Sequence, residues 1–180
     1  RNAALGAGCA VIVAAVEEPL CEAIARSNLA RGRGFAQHLP RPLRLLGGIA
    51  AMDYGFYWWH VATHRVPFLW RFHRVHHSVE AMDWIAGSRL HLVDVIVTRG
   101  LVLLPLVVLG FEQSAIFAYL GFVSLHAVFI HANFEPTSAW LERWIAMPRF
   151  HHWHHGIEDE ARDRNFAVHL PMIDRWFGTH

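Results

Sequence analysis

The chain has 180 residues, 54% of them hydrophobic, 13% aromatic and only 17% charged, with a formal net charge of +1. A soluble domain of this size usually carries about 25% charged residues, so the composition points to a membrane protein. It excludes a nucleic-acid partner, since neither net charge nor any basic tract supports one.

Cys9 and Cys21 lack C-x-x-C spacing, which argues against a disulfide framework or a thiolate metal site. The chain is long enough for one domain with a sizeable core, and no internal linker divides it. It starts at Arg1 without a methionine, so the expectation is a single unit over residues 1–180 with its N-terminus truncated.

Ala3 to Val16 is a short apolar run, read either as the end of a transmembrane helix or as a buried helix. Leu20 to Ala30 continues as an amphipathic helix, and Arg31 to Pro42 is a Gly- and Pro-rich loop. Leu43 to His60 is apolar except for Arg44 and Asp53 and is long enough to cross a bilayer. Pro67 stops that helix, and Phe68 to Glu80 is predicted as the next. Val93 to Leu109 is a further apolar segment, Gly110 to Gln113 a turn, and Ser114 to His131 a returning helix. The fold class expected is therefore all-α, a multi-pass transmembrane helical bundle. Its cap of polar helices follows Asn133, too polar to cross again.

Histidine is the chemical signal. His60-x-x-x-His64 is followed by His73-x-x-His76-His77, and the second pattern recurs as His151-x-x-His154-His155. With 15 histidines in 180 residues, about 0.1 accidental H-x-x-H-H matches are expected, so two copies are not scatter. On a helix, positions i, i+3 and i+4 share one side, which makes each box half of a metal site. Two membrane crossings after His77 bring His126 and His131 back to the same face, where the final box must also lie. Eight box histidines exceed what one four-coordinate zinc uses, so two metals are expected, with His131 as a ninth ligand. Imidazole alone does not choose among Fe, Zn, Cu and Ni.

Asp53, Tyr57, His60 and His64 fall on one helical stripe. A carboxylate at membrane depth is costly, so Asp53 and Tyr57 are expected to orient the two histidines from beneath, the alternative being a bond between helices. His91 lies three residues before Asp94 and either bonds that carboxylate near the site or is structural. His152 is one step from His151 and points elsewhere. Glu158, Asp159, Glu160 and Asp163 either accept N–H bonds from the rings or form a solvated loop, and His38, His169 and His180 are expected to be solvent-facing or simply packed.

The ordered set Asp53-Tyr-x-x-Tyr-x-x-His60-x-x-x-His64, Phe72-His-x-x-His-His-Ser78, His131-Ala-Asn133 and Pro148-Arg-Phe-His-x-x-His-His155 resembles the fatty acid hydroxylase/sterol desaturase superfamily of membrane-bound di-iron oxygenases. Arg164-Asn-Phe166 and Asp174-Arg-Trp-Phe-Gly-Thr179 resemble its closing segment, so the likeness covers about residues 50–179. The resemblance implies two iron ions, held by the eight box histidines and His131, with zinc as a substitute in a purified or non-native state. It implies O₂ and two electrons used to hydroxylate or desaturate a C–H bond of a lipid, fatty acyl chain or sterol, with the boxes on the cytosolic side. In some relatives two further ligands stand four residues apart in the helix before the last box. Here His126 and His131 are five apart, about 140° around a helix; His131 is favoured, His126 is left open, and Asn133 is a candidate for holding a metal-bound water.

A carotenoid ring hydroxylase is the near alternative, and a zinc-binding membrane protein or hydrolase the alternative of another class. The sequence has no His-Glu-x-x-His signature for the latter. It has no G-x-G-x-x-G and no C-x-x-C-H either, so electrons must come from an external donor, a ferredoxin or b-type cytochrome; Arg65, Arg71, Arg74, Arg149 and Arg162 are candidates for its docking face or, equally, for contact with lipid phosphates. Every cationic residue is arginine and none is lysine, the bias of a GC-rich bacterial genome. That favours a bacterial inner membrane, or the endoplasmic reticulum for a eukaryotic chain.

Overall fold

Pro40 and Pro42 open the first long helix, α1 (Arg41–Arg65), where a missing backbone N–H costs nothing. It ends because Val66 precedes Pro67 and must be extended, at φ −99° and ψ 113°. Pro67 then starts α2 (Pro67–His73), which gives way to a 3₁₀ turn at His76–Ser78. A second 3₁₀ turn at Ala86–Ser88 leads to α3 (Leu92–Val108) and α4 (Gln113–His131). A turn at Leu141–Arg143, α5 (Pro148–His154) and α6 (Met172–Phe177) complete the chain. The computed structural model describes residues 38–108, 111, 113–136 and 138–180, with isolated positions 15, 19 and 23. The expected helices before residue 31, most of the loop after them, the 110–113 turn and both cysteines lie largely or wholly outside the described residues.

Among the described residues the fold is all-helical, without strands. The helix predicted over residues 68–80 is in fact a helix and a 3₁₀ turn, α2 stopping at His73. Two cores hold the elements together. Met52 of α1, Leu106 of α3 and Ile116, Tyr119 and Leu120 of α4 pack with Phe111. Tyr57, on the same helix but further along, packs with Phe166, Ala167 and Ile173 of the C-terminal segment. The first core clamps the three long helices and the second ties the tail to α1, so the histidine ends of α1, α4 and α5 are brought to one place.

No helix among the described residues is long and apolar enough to cross a membrane. Large apolar side chains nevertheless face outward on α1 (Leu43, Leu45, Leu46), α3 (Ile96, Leu101) and α4 (Phe117, Leu125, Val128).

Candidate metal centre

The eight box histidines and His131 converge at the ends of these elements, in two groups within each of which the ring nitrogens lie within 4.8 Å of one another. The first group is His60, His64, His73, His77 and His154, and the second is His76, His131, His151 and His155. Each H-x-x-H-H box is divided between them. His73 and His77 enter the first group and His76 the second, while His151 and His155 enter the second and His154 the first. Residues i and i+4 stay together because they are one turn apart; the i+3 ring crosses over.

The separations are those of neighbouring ligands around an ion. In the first group Nε2 of His60 is 3.1 Å from that of His73, and Nε2 of His77 is 3.1 Å from those of His64 and His154. In the second, His76, His131, His151 and His155 form a closed ring with Nε2 to Nε2 edges of 3.3, 2.9, 3.2 and 3.1 Å. A metal–nitrogen bond of about 2.1 Å places adjacent ligands about 3.0 Å apart in square or octahedral coordination and about 3.4 Å in a tetrahedron.

Ring protonation makes the argument stronger. His60 Nδ1–H donates to the Phe166 carbonyl at 2.7 Å and His73 Nδ1–H to Asp94 Oδ2 at 2.9 Å. In neutral rings both Nε2 atoms are then lone-pair acceptors facing each other, an arrangement that needs a cation between them. His131 and His154 are fixed likewise, their Nδ1–H groups donating to the carbonyls of Ala127 at 2.6 Å and Arg164 at 2.7 Å. Burial first, and then the neighbouring imidazoles, push His76, His77, His151, His154 and His155 well below the ordinary histidine range. The rings are neutral at pH 7, the form that binds a metal. The donor set fits first-row ions that prefer nitrogen.

Several orienting groups differ from the sequence expectation. Asp53 and Tyr57 do not lie under His60 and His64. Asp53 is fully buried and accepts the backbone N–H groups of His169 and Leu170 at 3.0 and 2.6 Å and the ring Nδ1–H of His169 at 3.0 Å. Tyr57 bonds Thr179 at 2.9 Å. Asp94 serves His73, whereas His91 accepts the Val93 N–H at 3.1 Å and packs on Phe72. Asp163, in the acidic loop, stands 3.6 Å from His64 Nδ1 and 3.1 Å from Arg65, while Asp159 pairs with Arg162 at the surface. His126 joins neither group and donates to the Ala146 carbonyl at 3.0 Å; its five-residue offset from His131 turns it away. His152 also joins neither group, and Asn133 is exposed.

Two features had no side-chain signal in the sequence. The acceptors for His60 and His154 are main-chain carbonyls of Phe166 and Arg164, and Asn165 between them takes a left-handed φ of 55°, a conformation Asn tolerates. His169, expected at the surface or in ordinary packing, is buried, with its ring stacked on His126 at 5.0 Å. His38 and His180 are exposed, as expected.

A cavity of about 140 Å³ opens beside both groups. His60, His73, His76, His131 and His151 form one wall, and α1, α3 and α4 supply much of the rest through Phe56, Trp59, Val95, Tyr119, Val123 and Ile130, with Leu90, Val168 and His169 from outside these helices. Asp94, in the first turn of α3, also lines it and holds the His73 ring.

The family model described as fatty acid hydroxylase matches residues 45–179, a span that contains every histidine of both groups. The chain belongs to the fatty acid hydroxylase family. It is similar to the ornithine lipid hydroxylase OlsE of Rhizobium tropici, 29% identical over 78% of this chain and 42% of that protein. It is also similar to the alkylglycerol monooxygenase of Homo sapiens, 31% identical over 71% of this chain and 28% of the relative. Very-long-chain aldehyde decarbonylase GL1-5 of Oryza sativa subsp. indica is 26% identical over 79% of this chain and 25% of its own. The chain thus spans less than half the length of these curated family members. No solved structure matches it.

Proposed function

We propose that this family member is a membrane-bound oxygenase with two iron ions that uses O₂ and two electrons to hydroxylate an unactivated C–H bond of a lipid. One oxygen atom enters the C–H bond and the other, taking up the two electrons and two protons from solvent, leaves as water. The observation that carries the reading is the pairing of two imidazole groups beside one largely apolar cavity. His60, His64, His73, His77 and His154 would hold one ion and His76, His131, His151 and His155 the other. When bound, the metals supply the oxygen and redox chemistry.

The protein's own contribution is positional. Phe166, Arg164 and Ala127 carbonyls and the Asp94 carboxylate set the tautomer of four rings, so their Nε2 lone pairs are aimed before any ion arrives. Phe56, Trp59 and Ile130 line the cavity and keep water from the reacting carbon. The second group offers four imidazoles against five, so it is the one with more room for an added ligand.

The outward apolar residues of α1, α3 and α4 support a lipid-embedded, multi-pass placement, with the histidine cap on the cytosolic side. Electrons come from a ferredoxin or b-type cytochrome docking on the exposed Arg71, Arg74 and Arg149.

Anaerobic metal analysis and spectroscopy of the purified protein, with product analysis after expression in a lipid-rich host, test this reading. The expected result is two irons per chain and a lipid that has gained one oxygen. A single zinc with no oxygenated product would overturn it.

A further inference from the structure

Asp174 belongs to neither histidine group, yet a single peptide unit separates its carboxylate from a ring of the first. It is wholly buried, and the bonds it accepts come from the C-terminal segment. Oδ1 takes the Phe166 N–H at 2.8 Å and the Thr179 hydroxyl at 2.6 Å, and Oδ2 takes the Ala167 N–H at 2.7 Å. With the Thr179 proton committed to Asp174, the Tyr57 O–H donates to Thr179 at 2.9 Å. Gly178, with a left-handed φ of 73°, turns the chain out of α6 so that Thr179 comes back onto Asp174.

What this arrangement holds in place is the stretch 164–167. The Ala167 N–H and the Phe166 carbonyl are the two ends of one peptide unit. The first donates to Asp174 Oδ2, and the second accepts the His60 Nδ1–H at 2.7 Å. The line therefore runs from carboxylate through peptide to imidazole. A peptide whose N–H makes a charge-assisted bond is polarised, and its carbonyl becomes the stronger acceptor. The neighbouring peptide serves His154 in the same way without a charge: the Arg164 carbonyl accepts the ring Nδ1–H at 2.7 Å while the Asn165 N–H donates to the Thr179 carbonyl at 2.7 Å. Both rings are in the first group. In the second, His131 is held by the Ala127 carbonyl of its own helix, and among the described residues the stretch 164–179 bonds no ring of that group.

We infer that Asp174 is a positioning residue of the metal centre: through the Phe166–Ala167 peptide it holds His60 in the Nδ1–H form and enriches the Nε2 lone pair that faces the first group. His60 thus has, at one remove, the carboxylate that Asp94 gives His73 directly. The consequence for metal binding rests on the first group holding an ion, as in the proposed function; the form of the ring does not.

Two measurements on the full chain test it. In the metal-free protein, nitrogen NMR of labelled histidines separates protonated from unprotonated ring nitrogens, and native His60 should be wholly Nδ1–H. Asp174→Asn keeps the volume but removes the charge and leaves one acceptor oxygen for three donors. It should turn His60 into a mixture of both tautomers while His131 stays as it was. Titration with cobalt(II), read by its visible absorption, should give two steps, and His64→Ala identifies the first group's step by weakening it. Asp174→Asn should weaken that step about tenfold, the low end for loss of a group that orients a metal-bound histidine, and leave the other unchanged. Thr179→Val keeps the Asp174 charge and its bonds to Phe166 and Ala167, and should weaken the first step far less. A native His60 in the Nε2–H form, two steps weakened equally by Asp174→Asn, or a Thr179→Val loss as large as that of Asp174→Asn would each overturn the inference. If Asp174→Asn does not fold, the native protein decides: NMR couplings across the Ala167 to Asp174 and His60 to Phe166 hydrogen bonds should both be seen, and absence of either overturns it. No cobalt at the first group, in a protein whose His60 loses its Nδ1–H form on Asp174→Asn, sinks the proposed function alone.

Discussion

Asp94 accepts the Nδ1–H of His73 at 2.9 Å with both side chains almost wholly buried. The carboxylate fixes which nitrogen of His73 faces the first group and raises the basicity of that nitrogen. Asp94→Asn leaves the volume unchanged but removes the charge and lets the amide present a donor to Nδ1. The expected effect is a loss of about 10–100-fold in metal affinity at the first group, with the second little changed. Competition with a chelator, read as two resolved binding steps, checks it; two steps that weaken equally would show that Asp94 acts on the whole fold.

The metal-free protein should be acid-labile in an unusual window. His76, His77, His151, His154 and His155 are held below their ordinary pKa by burial and then by one another. Their folded-state pKa values are lowered, so below pH of about 6.5 the unfolded chain takes up protons that the fold refuses. Their contribution to stability is complete above that pH and is lost as pH falls through it. Each such group contributes up to about 1.4 kcal/mol per pH unit. The urea midpoint of chelator-treated protein should therefore drop steeply between about pH 7 and pH 5, well before carboxylates titrate near pH 4. A midpoint that is flat over this interval would mean that the rings are solvated or already protonated in the fold.

What was legible in the sequence is the part that depends on spacing. The helical repeat places His60 with His64, His73 with His77 and His151 with His155 on shared faces, and nine ligand candidates emerge without any coordinates. The split of each box was not legible, because it depends on where α2 ends and on the 3₁₀ turn that carries His76 and His77 beyond it. Nor were the carbonyls of Phe166, Arg164 and Ala127, since every residue has one and only the fold selects which is used. Asp53 shows the same limit in another way. Its burial followed from its place in an apolar helix, but its partner His169 lies 116 residues away and belongs to a segment that α1 meets only in the folded chain.

Gly87 sits in the 3₁₀ turn against α4, where a Cβ would lie 2.9 Å from His131 Nδ1 and 3.2 Å from the Ala127 carbonyl. The His131 ring cannot retreat freely, because its Nδ1–H is bonded to that carbonyl and its Nε2 lies 3.3 and 2.9 Å from those of His76 and His151. Gly87→Ala is therefore expected to displace His131 and to weaken the second group about tenfold or more while sparing the first. Metal content at limiting iron should move from two ions per chain towards one. Unchanged stoichiometry, with thermal stability also unchanged, would show that the turn yields instead of the ring.

Arg71 and Arg74 are both exposed on the α2 side of the cap, and among the described residues neither is in an ion pair. If an acidic electron donor docks there, long-range attraction governs its encounter rate and the rate falls as salt screens it. The double variant Arg71→Gln with Arg74→Gln should slow reduction by the donor several-fold at low ionic strength and flatten its salt dependence. Metal content and the reduction rate with a small uncharged reductant should stay as they were, because neither arginine belongs to either metal-binding group. Stopped-flow reduction over a range of salt concentrations separates the two cases. A slope unaltered by the double variant places the docking surface elsewhere on the cap.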